Sequence, residues 1–209
     1  LVLYNSFNSC GWLQSIKKNR KLKIIYGDLK DAFFLESQIK NFDVVFHLGA
    51  LVSIPYSYLS FNSFIDNNIS GTTNLLSACL KSKVKKVFVT STSEVYGTAQ
   101  YVPIDEKHPL NAQSPYAATK VAADQISLSF YRSFNLPVTI IRPFNTFGPR
   151  QSNRAIIPTL ITQMLHNKKF IQVGNIKTIR DFTYIEDTVN GFISAMKSKN
   201  IIGEIINIS

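Results

Sequence analysis

Short apolar runs rich in β-branched residues alternate along this chain with longer stretches of helical period. Runs such as Val44-Val45-Phe46 and Val87-Phe88-Val89 are unbroken by polar residues. A strand with one wet face alternates apolar and polar residues, whereas an unbroken run suits a strand covered on both faces. Parallel strands need long crossovers, which are usually helices. The pattern therefore predicts an α/β fold, a doubly wound parallel sheet. Strands are expected over Leu1–Tyr4, Leu22–Tyr26, Asp43–Leu48, Val84–Thr90, Val138–Pro143 and Glu204–Ile208. Helices are expected over Ala32–Lys40, Phe61–Lys81, Pro115–Phe134, Ile156–Asn167 and Ile185–Lys197. The chain carries no internal repeat, and Gln151-Ser152-Asn153 opens a less regular region.

Composition narrows the class. An apolar content of 45% over 209 residues suits one globular domain, or one and part of a second. The net charge of +10 has two readings, nucleic-acid binding or a lysine-rich solvated surface. The lysines fall in small clusters such as Lys17-Lys18 and Lys85-Lys86, with no long basic block, which favours the surface. Cys10 and Cys79 have no metal-type spacing and read as reduced structural thiols. No apolar run reaches membrane-spanning length and no signal-peptide pattern opens the chain, so a cytoplasmic location is expected.

Three strings carry the chemistry. In Ser114-Pro115-Tyr116-Ala117-Ala118-Thr119-Lys120, the Tyr and Lys lie four apart on one helix face. An ammonium beside a phenol lowers the phenol's pKa and prepares it for acid/base work. Val87–Gly97 places Thr92-Ser93-Glu94 just beyond an apolar strand, and Ile140–Arg150 does the same for Pro143, Phe144 and Asn145. In doubly wound folds the reactive groups lie beyond the carboxyl ends of the strands. The bland alternatives are a surface Tyr beside a solvated Lys, a polar Ser/Thr cap, and a Glu packed against a helix N-terminus.

These strings, in this order, resemble the extended short-chain dehydrogenase/reductases that act on nucleotide sugars, the NAD-dependent epimerase/dehydratase family. The resemblance implies that Tyr116 takes the proton of the sugar hydroxyl as hydride leaves to NAD. Lys120 would hold the cofactor ribose and lower the Tyr116 pKa, and Thr92 would hydrogen-bond the hydroxyl at C4. Glu94 would remove the C5 proton, acidic once C4 is a ketone, before the C6 hydroxyl leaves as water. Thr92-Ser93-Glu94 is similar to the trio of GDP-mannose 4,6-dehydratases; dTDP-glucose 4,6-dehydratases usually carry Asp at the position of Ser93. UDP-glucuronate decarboxylases carry a very similar S-T-S-E-V-Y-G string.

Further strings resemble the family's cofactor and substrate contacts. Gly27-Asp28-Leu29 would place Asp28 and Leu29 by the adenine. His47-Leu48-Gly49-Ala50 resembles H-L-A-A, with Leu48, Gly49 and Ala50 letting the backbone approach the pyrophosphate. His47 itself reads as a packed strand-end residue. Asn68 matches a structural Asn between strands, counted among the cofactor contacts, and Pro143 would lie by the nicotinamide. Asn5 stands where an acidic residue often binds the adenosine ribose. Ser93, Asn145, Arg150 and Arg180 would contact substrate. Arg180 suits a phosphate, or else a surface ion pair with Asp181 or Glu186.

The loop strings Tyr4–Ser9 with Gly11-Trp12-Leu13, Gly97–Glu106, and Pro149–Ser152 with Arg154-Ala155 and Ile157-Pro158 look like the NAD-dependent 4,6-dehydratases of legionaminic-acid type pathways. Those act on N-acetylglucosamine linked to UDP or GDP. The resemblance also implies a homodimer with the Tyr116 helix at its interface. A UDP-glucuronate decarboxylase, a 4-epimerase and a non-catalytic dinucleotide-binding module remain alternatives. The nine glycines form no G-x-G-x-x-G. The expectation is a fragment, inactive alone, with residues 1–143 a truncated NAD-binding domain and 144–209 part of a substrate-binding region.

Overall fold

The computed structural model describes residues 9–16, 19–166 and 169–209. The expected strand at Leu1–Tyr4, Asn5, most of Tyr4–Ser9, the Lys17-Lys18 cluster and the end of the helix expected to reach Asn167 lie outside the described residues.

Four parallel strands form the central sheet: β1 (Val44–His47), β2 (Lys86–Thr90), β3 (Val138–Pro143) and β6 (Ile205–Ile208), in the order β1-β2-β3-β6. Their registers run Val45 to Val87, Val89 to Ile140, and Ile141 to Ile206. Both faces are covered at β2 and β3, as their unbroken apolar runs require, whereas Phe46 of β1 stays exposed, because β1 is an outer strand among the described residues. On one face Val87, Val89, Val138 and Ile140 pack against Leu35 and Ile39 of α1 (Ala32–Ile39), Leu75, Leu76 and Cys79 of α4 (Gly71–Lys81), and Leu128 of α5 (Pro115–Phe134). On the other, Phe88 and Ile141 meet Ala195 and Phe192 of α7 (Ile185–Lys197). The period-2 alternation of the strand sends neighbouring residues to opposite layers. Each fully buried Leu, Ile or Phe is worth about 1.5–3 kcal/mol of transfer free energy.

The helices begin where local chemistry starts them. Asp31 caps α1 by accepting from Phe34 N at 2.9 Å. Ser114 caps α5 by accepting from Ala117 N at 3.1 Å, and Pro115 follows in the first turn, where its missing N–H costs little. Asn135 ends α5 in the left-handed region, φ 55°. A short helix, α2 (Ile54–Ser57), was not anticipated; Ser53 caps it and Pro55 sits in its first turn.

Two expectations change. Leu22–Tyr26 makes no ladder among the described residues, only an isolated bridge at Tyr26. A strand is defined by its pairing, and these residues show none beyond that bridge among the described residues. The helix expected over Phe61–Lys81 is α3 (Phe61–Phe64), a π-helical turn at Ile65–Ser70, and then α4. The wide turn carries buried Asn68, which faces the loop after β1. A short parallel pair, β4 (Asn145–Phe147) with β5 (Phe182–Tyr184), was also missed. Three-residue strands carry too little period for sequence reading. Helix α6 (Ile156–Leu165) follows β4. No helix among the described residues is long and apolar enough to cross a membrane.

Candidate active site

Parallel strands end at one edge, so the segments after β1, β2 and β3 converge there. Helix α5 brings Tyr116 and Lys120 to that edge, both buried. After β2, Thr92 opens a 3₁₀ turn, Ser93–Tyr96, and its Oγ1 accepts from Glu94 N at 3.2 Å. The capping role that sequence offered as the bland alternative is therefore one thing Thr92 does. Ser93 and Glu94 share the turn. Gly97 closes it at φ 66°, where any Cβ would lie 2.1 Å from the Asn111 carbonyl oxygen. No other residue type fits there without moving backbone.

The electrostatics of the pair differ from expectation. Burial pushes the Tyr116 phenol up to about 12, with Glu94 and Asp124 adding to the rise while a hydrogen bond with Thr92 opposes it. Lys120 does not lower it here. Its ammonium donates to the Thr90 carbonyl, and burial brings Lys120 down to about 8, with Asp124 resisting the fall. Loss of hydration outweighs the proximity that spacing alone suggested. At neutral pH the site rests as a phenol beside an ammonium.

The rim is built from longer range. Arg180, just before β5, pairs through Nη1 with Glu94 Oε1 at 3.0 Å, and not with Asp181 or Glu186. The β4–β5 pairing makes this possible: Asn145 N donates to Asp181 O at 3.2 Å, which brings residue 180 to the end of β3. Pro143 ends β3 and Asn145 begins β4. Arg150 lies further out, at φ 71°, with its guanidinium 5.2 Å from the Trp12 ring centroid.

At the other end of the edge, Leu48, Gly49 and Ala50 follow β1. A Cβ on Gly49 would come 2.9 Å from Leu29 Cδ1, so Leu29 lies directly over this turn. Asp28 accepts from Lys30 N at 2.9 Å and borders an open cleft of about 510 Å³ with Tyr26, Gly27 and Phe34. Asn68 has a structural place, as its string suggested. Its Oδ1 accepts from Leu51 N at 2.8 Å, and its two amide hydrogens go to Leu51 O and Thr119 Oγ1. It bridges the post-β1 loop to α5, with no donor left for a cofactor. His47 is buried as anticipated; Nε2 lies 2.9 Å from Thr72 Oγ1. Burial, helped by the Lys120 charge, lowers it to about 3.

Sequence reasoning missed a buried polar cluster under the site. Asp124 Oδ2 receives Ser91 Oγ at 2.9 Å, Arg142 Nη2 at 2.9 Å and Arg142 Nε at 3.1 Å. Arg142 Nη1 donates to Tyr96 Oη at 2.9 Å, and Tyr96 donates to Asn207 Oδ1 at 2.8 Å. A signal was present: an arginine inside an apolar strand demands a buried anion, and Asp124 continues the Tyr116–Lys120 face by four residues.

Comparison with known proteins decides the family. Residues 2–208 match the family model described as GDP-mannose 4,6 dehydratase. The chain belongs to that family. It is an extended short-chain dehydrogenase/reductase of the NAD-dependent epimerase/dehydratase kind. It is 36% identical to a dTDP-D-glucose 4,6-dehydratase of Dictyostelium discoideum over 94% of this chain and 48% of that one. A dTDP-glucose 4,6-dehydratase of Streptomyces venezuelae, solved with NAD bound, superposes with a TM-score of 0.88 at 28% identity, over 94% of this chain and 61% of that one. A UDP-glucuronic acid 4-epimerase of Bacillus cereus, solved with UDP-glucuronic acid and NAD, gives 0.88 at 35% identity, over 94% and 63%. The chain spans about half the length of the curated relatives it matches.

Proposed function

We propose that this protein is an NAD-dependent nucleotide-sugar 4,6-dehydratase acting on UDP- or GDP-N-acetylglucosamine. The observation that carries the reading is Glu94 on the same short turn as Thr92, close enough for its charge to bear on the Tyr116 phenol. An epimerase needs no base at C5; a dehydratase does.

The residues fit NAD. The cleft beside Asp28 offers a carboxylate and the Phe34 ring at one end of the strand edge, and Gly49 and Ala50 offer a close backbone approach between that cleft and Lys120. When bound, NAD supplies the acceptor for hydride from C4 and its return to C6. Tyr116 takes the C4 hydroxyl proton, with Thr92 orienting that hydroxyl and Lys120 keeping positive charge nearby. Glu94 removes the C5 proton and returns a proton to the departing C6 hydroxyl. Arg150 and Arg180 take the diphosphate, with Ser93 and Asn145 at the sugar. Residues 1–143 form the cofactor half and 144–209 the substrate half. The active form is a homodimer in the cytoplasm.

The test is product mass. The whole protein is incubated with NAD and UDP-N-acetylglucosamine, then with the GDP analogue, in deuterated water. The expected result is loss of one water with deuterium incorporated, suppressed about 10²–10⁴-fold by Glu94→Gln. The second reading, a 4-epimerase, is favoured by the likeness to the Bacillus cereus enzyme. It predicts an altered configuration with no mass change. Conversion of UDP-glucuronate with loss of carbon dioxide would replace both.

A further inference from the structure

We propose that Asp124 is a positioning residue for the Tyr116–Lys120 pair: its buried carboxylate keeps Lys120 an ammonium and fastens the ends of β2 and β3 to α5. The proposal rests on the acid/base reading of that pair, and its test is read without turnover, so the two can fail separately.

Tyr116, Lys120 and Asp124 are spaced at i, i+4 and i+8 and form one buried stripe of α5, at 6%, 4% and 0% exposure. Three donors converge on Asp124 Oδ2: the Ser91 hydroxyl and two guanidinium N–H groups of Arg142. An oxygen that receives three donors is the acceptor of an ionised carboxylate. The other oxygen, Oδ1, is buried and carries no hydrogen bond among the described residues. Burial pushes the Asp124 carboxyl up, and Arg142, the Ser91 hydrogen bond and Lys120 oppose that rise.

The partners are placed to matter. Ser91 immediately precedes Thr92, and Arg142 immediately precedes Pro143. Through Arg142 the junction reaches Tyr96 at the end of the Glu94 turn, and through Tyr96 it reaches Asn207 of β6. One side chain therefore sets the relative position of three segments that bear candidate site residues.

The charge has a second consequence. Lys120 is buried, and desolvation favours the neutral amine. The ionisable groups around it are Asp124 and Tyr116 from its own helix and His47 from β1; Arg142 faces Asp124, and the Glu94 charge bears on Tyr116. His47 is neutral near physiological pH. Among the charges that bear on Lys120, Asp124 holds it protonated against burial. With that charge removed, Lys120 must release its proton at a lower pH.

The experiment is an NMR titration of the whole protein carrying ¹³Cε-labelled lysine, with Lys120 assigned by its loss in Lys120→Arg. Lys120 is expected to titrate near 8 in the parent protein, and at least about one pH unit lower in Asp124→Asn, with Asp124→Glu restoring it. A folded Asp124→Asn protein, judged by circular dichroism, with an unmoved Lys120 midpoint would overturn the proposal. Should Asp124→Asn not fold, ¹³C-labelled aspartate in the parent protein decides. Asp124 must stay ionised from about pH 6 to about pH 9; a protonated carboxyl in that range overturns the proposal as well.

Discussion

Two regions of the edge are held in different ways. Beneath it, Asp124, Arg142, Ser91 and Tyr96 form a polar junction out of water, with Arg142 at 1% exposure. Along its rim, Glu94 meets Arg180 with side chains 23% and 43% exposed, and Arg150 lies over Trp12, itself 67% exposed. The junction braces the strand ends and the helix that bear Thr92, Tyr116 and Lys120; the rim carries Glu94 and two arginines. Geometry set by burial is expensive to break, whereas geometry set by exposed pairs can be exchanged for a ligand's charges at little cost. Proton transfer tolerates small positional error poorly, and substrate capture requires contacts that give way.

The contrast is broken most severely by Arg142→Met. This leaves Asp124 charged and unpaired in the core, and stability should fall by about 3–5 kcal/mol, read from the urea midpoint. Replacing both partners with apolar residues, Asp124→Leu with Arg142→Met, should recover much of that loss. A cost below about 1 kcal/mol for the single change would mean that the junction does not hold the strand ends.

His47 gives a pH test of the same buried layer. Thr72 Oγ1 donates its one proton to Asn68 O at 2.6 Å, so it accepts from His47 Nε2–H, and the ring is neutral. Its folded pKa of about 3 lies below the ordinary 6.5. Between these values the unfolded chain binds a proton that the folded chain refuses. Stability therefore falls as pH drops below about 6.5, and the loss levels off near 3. Between about pH 7 and about pH 5 this one group should account for about 2 kcal/mol. His47→Gln should remove that part of the slope, and an unchanged pH profile of chemical denaturation would place His47 outside the buried layer.

The same contrast explains what sequence could reveal. The α5 boundaries at Pro115–Phe134 and the β3 boundaries at Val138–Pro143 were legible because capping chemistry and unbroken apolar runs are local signals. Tyr116, Lys120 and Glu94 were legible because their spacing is part of a string. The Arg180–Glu94 pair joins residues 86 apart, through two three-residue strands that carry no readable period. The Asp124–Arg142 pair joins α5 to β3; an arginine inside an apolar strand signals a buried anion but does not say which carboxylate supplies it. The Tyr116 pKa was misjudged because spacing gives neighbours, whereas the dominant cause is the water that folding removes.

On the rim the effects are smaller. Arg180→Gln removes an exposed pair, so stability should change by no more than about 1 kcal/mol. If Arg180 serves a diphosphate, KM should rise more than kcat falls, and the difference should shrink at high salt. A fall in kcat with KM unmoved would place Arg180 with Glu94 in the chemistry and not in substrate capture.

The smallest effect comes with the cleanest signal. The chain has one tryptophan, Trp12, and the Arg150 guanidinium lies over its ring. A cation over an exposed indole is worth about 0.5–1 kcal/mol, too little to read reliably from unfolding. Trp12 fluorescence reports it directly. Arg150→Ala should shift the emission to longer wavelength as water replaces the guanidinium, with the unfolding midpoint unchanged. A nucleoside diphosphate that draws Arg150 away should produce the same shift in the parent protein and none in Arg150→Ala. Equal responses in both would show that this contact does not yield to a ligand, and the rim would then be as fixed as the junction beneath it.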